Sequence, residues 1–243
     1  MASRQLISWF FTLSAALAPA SVLAQEFTYS GDSGPAFWDL LNPAWSSCNQ
    51  GTQQSPVDLP GAPPARQWQL QMDYQLSTGA IFNNGHTIEV EVDGENYLRL
   101  SGIDYKLTQF HFHTGSEHRV NGRGYDMELH LVHKSASGAL AVIGVFLRRG
   151  SSSGALAPIF ANLPALDTPI NQQEELPEGF NPINFLPGSR AFYNYAGSLT
   201  TPPCTEGVRW FVMAEPVSVS DEDIAQFAKR IPFNARYVQR DLD

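Results

Sequence analysis

Two stretches of the sequence decide the fold: Gln109-Phe110-His111-Phe112-His113 and Glu128-Leu129-His130-Leu131-Val132-His133. Polar and apolar residues alternate through most of both stretches, which is the period-2 pattern of a β-strand. The pair Asn121-Gly122 lies between them and is typical of a two-residue hairpin loop. We therefore predict that the two stretches form an antiparallel pair of strands joined through this turn.

The register of this predicted pair brings three histidines together. If Asn121-Gly122 is a two-residue loop, Val120 pairs with Arg123, and the same register places His113 opposite His130. Residues two apart on a strand share a face, and so do residues directly opposed on neighbouring strands. We therefore expect His111, His113 and His130 to converge on one patch of the sheet.

The rest of the chain reads as further strands with a few short helices. Asn84-Gly85 and Asp93-Gly94 are also predicted hairpin turns. The sequence predicts a mainly β single domain, built on a large, mostly antiparallel central sheet with short peripheral helices. The expected strands are 87–92, 140–147 (nearly all apolar), 191–195 and 208–214, and the expected helices are 156–163 and a helix capped by Ser220 that runs to about Arg230.

The N-terminus predicts export. Arg4 precedes the mostly apolar stretch Leu6 to Ala18, and Val22-Leu23-Ala24 offers a small-residue cleavage site. We predict a signal peptide over residues 1–24, a catalytic domain over residues 25–243, and a periplasmic or secreted protein without membrane attachment after cleavage. An uncleaved membrane anchor is the alternative.

The charge of the chain and its cysteine content indicate which partners are excluded and whether a disulfide bond is expected. The chain of 243 residues has a net charge of −9 and no cluster of Lys and Arg, which argues against nucleic acid as a partner. Its two cysteines, Cys48 and Cys204, are an even pair in an exported protein and so suggest one disulfide bond. Two unrelated buried thiols remain the other interpretation.

Three neutral imidazoles with an open fourth position are typical of a catalytic zinc site, because a structural site would be closed by a fourth protein ligand. A cupin is one candidate, since His111-x-His113 is followed by Glu117 and, later, Gly124. However, Tyr105 stands where the first cupin motif begins with Gly. The second cupin motif is not found around His130.

The second candidate covers nearly the whole chain. In order and spacing, the segments between Tyr29 and Arg236 resemble the α-class carbonic anhydrases of the bacterial exported type. Thr114 stands where many animal members have Trp, and Tyr237 where Pro is usual. The segments that carry the resemblance are 54–58, 83–86, 109–113, 116–118, 128–133 and 197–203.

The resemblance implies a zinc-dependent lyase that reversibly hydrates carbon dioxide to bicarbonate and a proton by attack of a zinc-bound hydroxide. It assigns the metal to His111, His113 and His130. It implies that Thr200 accepts a hydrogen bond from the hydroxide and donates one to Glu117. It makes His86 the proton shuttle, and it leaves a homodimer open as the oligomeric state.

The resemblance also assigns supporting residues. Gln109 would orient His111, Glu128 would orient His130, and His118 would join Glu128 and Tyr195 in a buried network. It implies cis peptide bonds at Ser55-Pro56 and Pro202-Pro203. The apolar wall that receives carbon dioxide would be formed by Val132, Val142, Leu199 and Trp210. A protein of this fold that binds ligands without catalysis is the alternative, and such members have lost zinc histidines.

Overall fold

The structure is a computed structural model that describes residues 26–64 and 69–242. The predicted signal peptide, residues 1–24, lies outside the described residues. The strands are β1 (Val57–Leu59), β2 (Gln71–Asp73), β3 (Gly79–Asn83), β4 (Ile88–Val92), β5 (Tyr97–Leu100), β6 (Ile103–Thr114), β7 (Arg119–Val120), β8 (Met127–Ser135), β9 (Leu140–Arg149), β10 (Glu174–Glu175), β11 (Phe192–Ser198), β12 (Glu206–Val219) and β13 (Arg240–Asp241). The α-helices are α1 (Trp38–Leu41), α2 (Ser47–Gln50), α3 (Ala157–Ala161) and α4 (Asp221–Arg230), and short 3₁₀ helices span Gly31–Ser33, Pro43–Trp45 and Pro182–Phe185.

A ten-stranded sheet forms the centre of the molecule. Its main path runs in the order β10-β3-β4-β6-β8-β9-β12-β11, and β5 pairs with both β6 and β2. Its strands pair antiparallel except β9 and β12, which are parallel. A small second sheet has the order β13-β1-β7. The predicted mainly β architecture with a mostly antiparallel central sheet is confirmed.

The alternation in β6 divides its side chains between two environments. Phe110 and Phe112 are fully buried in the larger hydrophobic core, where the ring of Phe112 lies 5.2 Å from that of Phe160 and 5.8 Å from that of Phe227 in α4. The polar residues of β6 face the other side of the sheet. Burial of the two phenylalanines therefore aims His111 and His113 away from this core.

The capped helix and the buried strand form as predicted. The Ser220 hydroxyl accepts the N–H of Asp223 at 3.1 Å, and α4 then runs to Arg230. In β9 the seven residues Ala141–Leu147 are all buried between β8 and β12, which explains the nearly all-apolar sequence.

The register of the β6–β8 pair differs from the prediction by two residues. Val120 and Arg123 do form the predicted bridge. Nearer the histidines, however, His111 lies opposite His130, and His113 lies opposite Glu128. Because two residues are one full period of a strand, the error leaves all three histidines on one face.

The register changes where β6 gives way to β7. Glu117 and His118 form no ladder pair with β8, and their N–H groups instead donate to Oε2 of Glu128 at 3.0 and 2.9 Å. β7 then pairs with β1. The Glu128 carboxylate thus takes the place of backbone carbonyl acceptors. The N–H groups of Glu117 and His118 are therefore both satisfied, although these residues lie outside the β6–β8 ladder.

One predicted hairpin turn is wrong. Asp93-Gly94 links β4 to β5, and these strands do not pair with each other, since both pair with β6. The segment instead allows β4 and β5 to pair with successive parts of β6. The turn at Asn84-Gly85 does join the paired strands β3 and β4.

The cysteine pairing and the cis bonds agree with the predictions. Cys48 of α2 is disulfide-bonded to Cys204, which follows the segment ending at Pro203. Ser55-Pro56 and Pro202-Pro203 are both cis. Within residues 26–64 and 69–242, no helix has the length and apolar character needed to cross a membrane.

Candidate metal centre

The three predicted histidines come together on β6 and β8. Ligand nitrogens of His111, His113 and His130 lie within 4.8 Å of one another. The ring centroids are 5.1, 5.2 and 4.5 Å apart. Side chains from two neighbouring strands therefore form one compact cluster of imidazoles.

Each of these imidazoles uses one nitrogen to bind an oxygen outside the cluster. Two of the three oxygen partners, on Gln109 and Glu128, are those predicted from the sequence. Because all three oxygens can only accept, the outer nitrogen of each ring carries the proton and the inner nitrogen presents a lone pair. The contacts are His111 Nδ1 to Gln109 Oε1 at 2.8 Å, His113 Nδ1 to the Asn234 carbonyl at 2.7 Å, and His130 Nε2 to Glu128 Oε1 at 2.9 Å.

Two of the inner nitrogens lie very close together. His113 Nε2 and His130 Nδ1 are 3.1 Å apart. Two lone pairs at this distance repel, whereas tetrahedral zinc with bonds of ~2.0–2.1 Å would hold its nitrogens about 3.3 Å apart. Burial, with the nearby histidines, lowers the pKa of His111 well below its ordinary value, which keeps this imidazole neutral. The donor set therefore fits a divalent cation such as zinc.

Glu128 organises the second layer of the site. Its Oε1 also contacts His118 Nδ1 at 2.7 Å, and His118 Nε2 lies 2.7 Å from the hydroxyl of Tyr195. The predicted network of His118, Glu128 and Tyr195 is therefore present. Burial alone would raise the pKa of Glu128, but the charges and hydrogen bonds of His118 and His130 hold that pKa well below its usual range.

Glu117 and Thr200, the two residues expected to orient the nucleophile, are both buried. Glu117 Oε1 accepts the backbone N–H of Arg236 at 2.8 Å. Its Oε2 has no hydrogen-bond partner in the part of the chain that the structure describes. The predicted hydrogen bond from Thr200 is accordingly not formed between these described residues, and Oε2 is left as an acceptor without a donor.

His86 lies in the turn between β3 and β4 and lines a cavity of about 210 Å³ together with His111 and His113. Its ring stacks on that of Phe27, with centroids 3.8 Å apart and planes at 9°. Partial burial lowers the pKa of His86, and the charge of Glu26 opposes this shift. The histidine is half-buried and faces the same space as the metal cluster.

The four predicted apolar pocket residues form part of one hydrophobic cluster on β8, β9, β12 and the residue after β11. Val142 and Trp210 are buried within it, and Val132 and Leu199 pack against them. The rings of Trp210 and His130 have centroids 4.8 Å apart. The cluster therefore lies directly against His130 of the three-histidine cluster.

His133 lies three residues after His130 on β8 and therefore faces the other side of the sheet. Its Nε2 lies 2.5 Å from the hydroxyl of Tyr74, and its Nδ1 lies 3.2 Å from the Ala141 carbonyl. It is fully buried. It contributes no atom to the three-histidine cluster.

Sequence reasoning missed Asn234 and the role of the Arg236 backbone. Asn234 binds His113 through its carbonyl, and its side-chain amide donates to the carbonyls of His86 and Phe112 at 3.0 and 2.9 Å. Both residues lie in the irregular segment after α4, where no periodic pattern shows which groups face the site. Only the packing of this segment against β6 reveals them.

Comparison with known proteins identifies one family. A family model described as eukaryotic-type carbonic anhydrase matches residues 33–240. A carbonic anhydrase of Nostoc is 41% identical over 226 residues, covering 91% of this chain and 85% of that protein. One of Pectobacterium atrosepticum is 39% identical over 216 residues, covering 89% and 87%. Among solved structures, the complex of the α-carbonic anhydrase from Thermovibrio ammonificans with the inhibitor sulfanilamide has a TM-score of 0.83 at 40% identity, covering 88% of this chain and 95% of that one. The cupin interpretation is wrong, because sequence and fold both match this other family across the chain.

Proposed function

The chain belongs to the eukaryotic-type, or α-class, carbonic anhydrases, and from this membership we propose that it hydrates carbon dioxide at a zinc ion held by His111, His113 and His130. Reversible hydration to bicarbonate and a proton is the general reaction of the family. The observation that carries the zinc assignment is the convergence of three lone-pair nitrogens whose tautomers are set by outer acceptors.

The three ligands would hold the ion without neutralising it, because all are uncharged imidazoles. Bound there, zinc would supply the nucleophile by lowering the pKa of a coordinated water, so that hydroxide is available near neutral pH. Gln109 and Glu128 would keep His111 and His130 oriented, since each fixes one ring nitrogen as a donor.

Glu117 and Thr200 would orient the nucleophile. Glu117 is a pure acceptor whose Oε2 lacks a donor within the described residues. A hydrogen bond from the Thr200 hydroxyl to this atom would leave the threonine oxygen able only to accept. The nucleophile would then have to point its proton at Thr200 and its lone pair toward the carbon of the substrate.

The apolar cluster of Val132, Val142, Leu199 and Trp210 would receive carbon dioxide. The substrate is uncharged and apolar, and this cluster packs against the ring of His130. Apolar side chains hold water weakly, so carbon dioxide would displace little bound water when it enters this cluster. It would also favour departure of the charged product.

His86 would carry the proton out of the site. Each hydration releases one proton, and an imidazole with a pKa near neutrality both accepts and releases protons there. His86 lines the cavity shared with His111 and His113 while remaining partly exposed. Transfer from the metal site to His86 would pass through water.

The test is zinc content and carbon dioxide hydration in the purified protein. We expect one zinc per chain, loss of activity with a strong chelator, and recovery when zinc is restored. His113→Ala should lose both metal and activity, whereas the control His133→Asn should keep zinc, because His133 faces away from the cluster. Full zinc occupancy with normal activity in His113→Ala would contradict the site. Zinc without hydration activity in the wild type would favour a ligand-binding role.

We also infer that the protein is exported. The support is the N-terminal pattern of Arg4, the apolar stretch to Ala18 and the small residues at 22–24, which would leave residues 25–243 as the mature domain. N-terminal sequencing of protein from a periplasmic extract should begin at Gln25. A chain that retains its first 24 residues in the membrane fraction would contradict this inference.

A further inference from the structure

The cavity beside the metal site contains a carboxylate that the proposed mechanism does not use. Glu89 lies on β4 directly opposite His111 of β6. Opposed residues on paired strands share a face, with Cβ atoms ~5 Å apart. Glu89 lines the same cavity of about 210 Å³ as His86, His111 and His113. Its side chain therefore faces the cavity that is lined by two of the three histidines of the proposed metal site.

The turn between β3 and β4 holds this carboxylate in place. The Asn84 amide donates to Glu89 Oε2 at 3.1 Å. The carbonyl oxygen of the same amide accepts the N–H groups of His86 and Thr87 at 2.9 and 2.8 Å. Because Asn84 is fixed by two backbone donors, it holds the Glu89 carboxylate in one orientation.

No cation neutralises Glu89 within the described part of the chain. None of the ion pairs between described residues involves it, and the described residues that line the cavity include no lysine or arginine. Glu89 is the one carboxylate among those lining residues. Burial raises the pKa of Glu89, the hydrogen bond from Asn84 opposes this, and the charge of Glu91 adds to it. When ionised, Glu89 is therefore a negative charge in the cavity that no side chain of the described lining residues offsets.

We propose that Glu89 makes the metal cavity selective against anions, so that it weakens anion binding at the three-histidine site without affecting neutral carbon dioxide. The reason is Coulombic, because a carboxylate facing a partly buried cavity is screened less than one at the surface. Inhibitory anions and the product bicarbonate would both be repelled. This inference rests on the proposed function, since it requires the metal site to be real.

The experiment measures anion binding directly, in the cobalt-substituted protein. Thiocyanate is titrated in mildly alkaline buffer, and its affinity is read from the visible spectrum of the cobalt ion rather than from activity. Glu89→Gln removes the charge but keeps an acceptor for Asn84, so thiocyanate should bind about tenfold more tightly. Glu89→Asp keeps the charge and should remain close to wild type. The neutral ligand imidazole should bind all variants equally.

Glu91→Gln is the matched control. Glu91 lies two residues further along β4, is exposed, and accepts a hydrogen bond from Gln173 at 2.9 Å. It does not line the cavity. Removing its charge changes the net charge by the same amount as Glu89→Gln but should alter thiocyanate affinity less than about twofold, because the charge lies in solvent. In kinetics, Glu89→Gln should lower KM for bicarbonate while KM for carbon dioxide stays constant.

The outcomes separate this inference from the proposed function. If the wild-type chain takes up no cobalt, the three-histidine site is wrong and the inference fails with it. If cobalt binds and thiocyanate affinity is the same in wild type and Glu89→Gln, the inference alone is overturned. An equal effect of Glu91→Gln would also overturn it, because net charge rather than the position of Glu89 would then be responsible.

Discussion

At the scale of single residues, Glu117 Oε2 is the atom that points most directly to chemistry. A buried polar atom without a hydrogen-bond partner costs about 1–3 kcal/mol, and more when it is charged. Glu117 Oε2 is such an atom, whereas Oε1 of the same group is held by the Arg236 N–H. The arrangement leaves one acceptor position without a donor among the described residues, and under the proposed function we assign it to the hydroxyl of the buried Thr200.

Replacing Thr200 should test this assignment. Thr200→Val keeps the shape but removes the hydroxyl, so we expect kcat/KM for hydration to fall about a hundredfold, the range seen when one oriented hydrogen bond at a reacting group is lost. Thr200→Ser keeps the hydroxyl and should retain most activity. Stopped-flow kinetics and zinc content are measured together. A Thr200→Val enzyme with wild-type kcat/KM and full zinc would show that this hydroxyl orients nothing.

His86→Ala tests the proton shuttle at the same scale. Turnover should fall about tenfold or more in dilute buffer, because removal of the proton then depends on slow exchange with solvent. Added imidazole should restore it. Isotope exchange between carbon dioxide and bicarbonate at equilibrium, which needs no net proton transfer, should barely change. Unaltered turnover in dilute buffer would assign proton transfer to another group.

At the scale of elements, the disulfide joins two segments that are not connected by any strand pairing between described residues. Cys48 and Cys204 are 156 residues apart, and their carbonyls accept hydrogen bonds from Arg236 Nη2 at 2.6 Å and Gln54 Nε2 at 3.0 Å. Cys204 ends the segment that begins with Thr200. The bridge therefore connects α2 to the segment that carries the proposed orienting hydroxyl.

Removing this bridge should destabilise the protein. We expect the double variant Cys48→Ser, Cys204→Ser to lose about 2–5 kcal/mol of unfolding free energy, chiefly because the unfolded chain gains freedom when a long loop is opened. Urea denaturation measures the change. A reductant should destabilise the wild type by a similar amount and leave the variant unaffected. Equal stability of oxidised wild type and variant would contradict the prediction.

At the scale of the whole molecule, buried histidines link stability to pH. Burial lowers the pKa of His133 from 6.5 to about 4, although hydrogen bonds to backbone carbonyls oppose the shift. Below pH ~6.5 the unfolded chain binds a proton at this residue and the native protein does not, so acid favours unfolding. The contribution of His133 to the free energy of unfolding is complete above pH ~6.5, and it is lost as the pH falls toward the pKa of His133 in the native protein.

We expect the proton linkage at His133 to lower the free energy of unfolding by about 3 kcal/mol as the pH falls from ~6.5 to ~4. His133→Asn cannot titrate, so its stability should be lower at neutral pH but should decline less steeply over this interval. Urea denaturation at a series of pH values measures both slopes. Parallel slopes in the two proteins would show that His133 is not responsible.

Much of the molecule follows from the sequence alone. Alternation identified β6 and β8, the all-apolar stretch identified β9, and Ser220 with its downstream acids identified α4, because strand and helix periodicity are local properties of the chain. The shared face of His111, His113 and His130 survived a register error of two residues, since a side chain returns to the same face after that shift. The disulfide was predicted from an even pair of cysteines in an exported chain, whereas the two cis prolines were predicted only from the family resemblance.

Other features depended on the tertiary structure. The actual register is set where Glu117 and His118 leave the ladder and donate to the Glu128 carboxylate, an exchange between groups ten or more residues apart that no local pattern encodes. Asn234 reaches His113 from the irregular segment after α4, and Glu89 faces the cavity lined by His111 and His113 because β4 pairs with β6. The sequence determined which faces the side chains occupy, because the backbone repeat is local. The tertiary structure decided which polar groups meet. Many pairings of polar groups are compatible with the order of residues along the chain, and non-local hydrogen bonds and burial select among them.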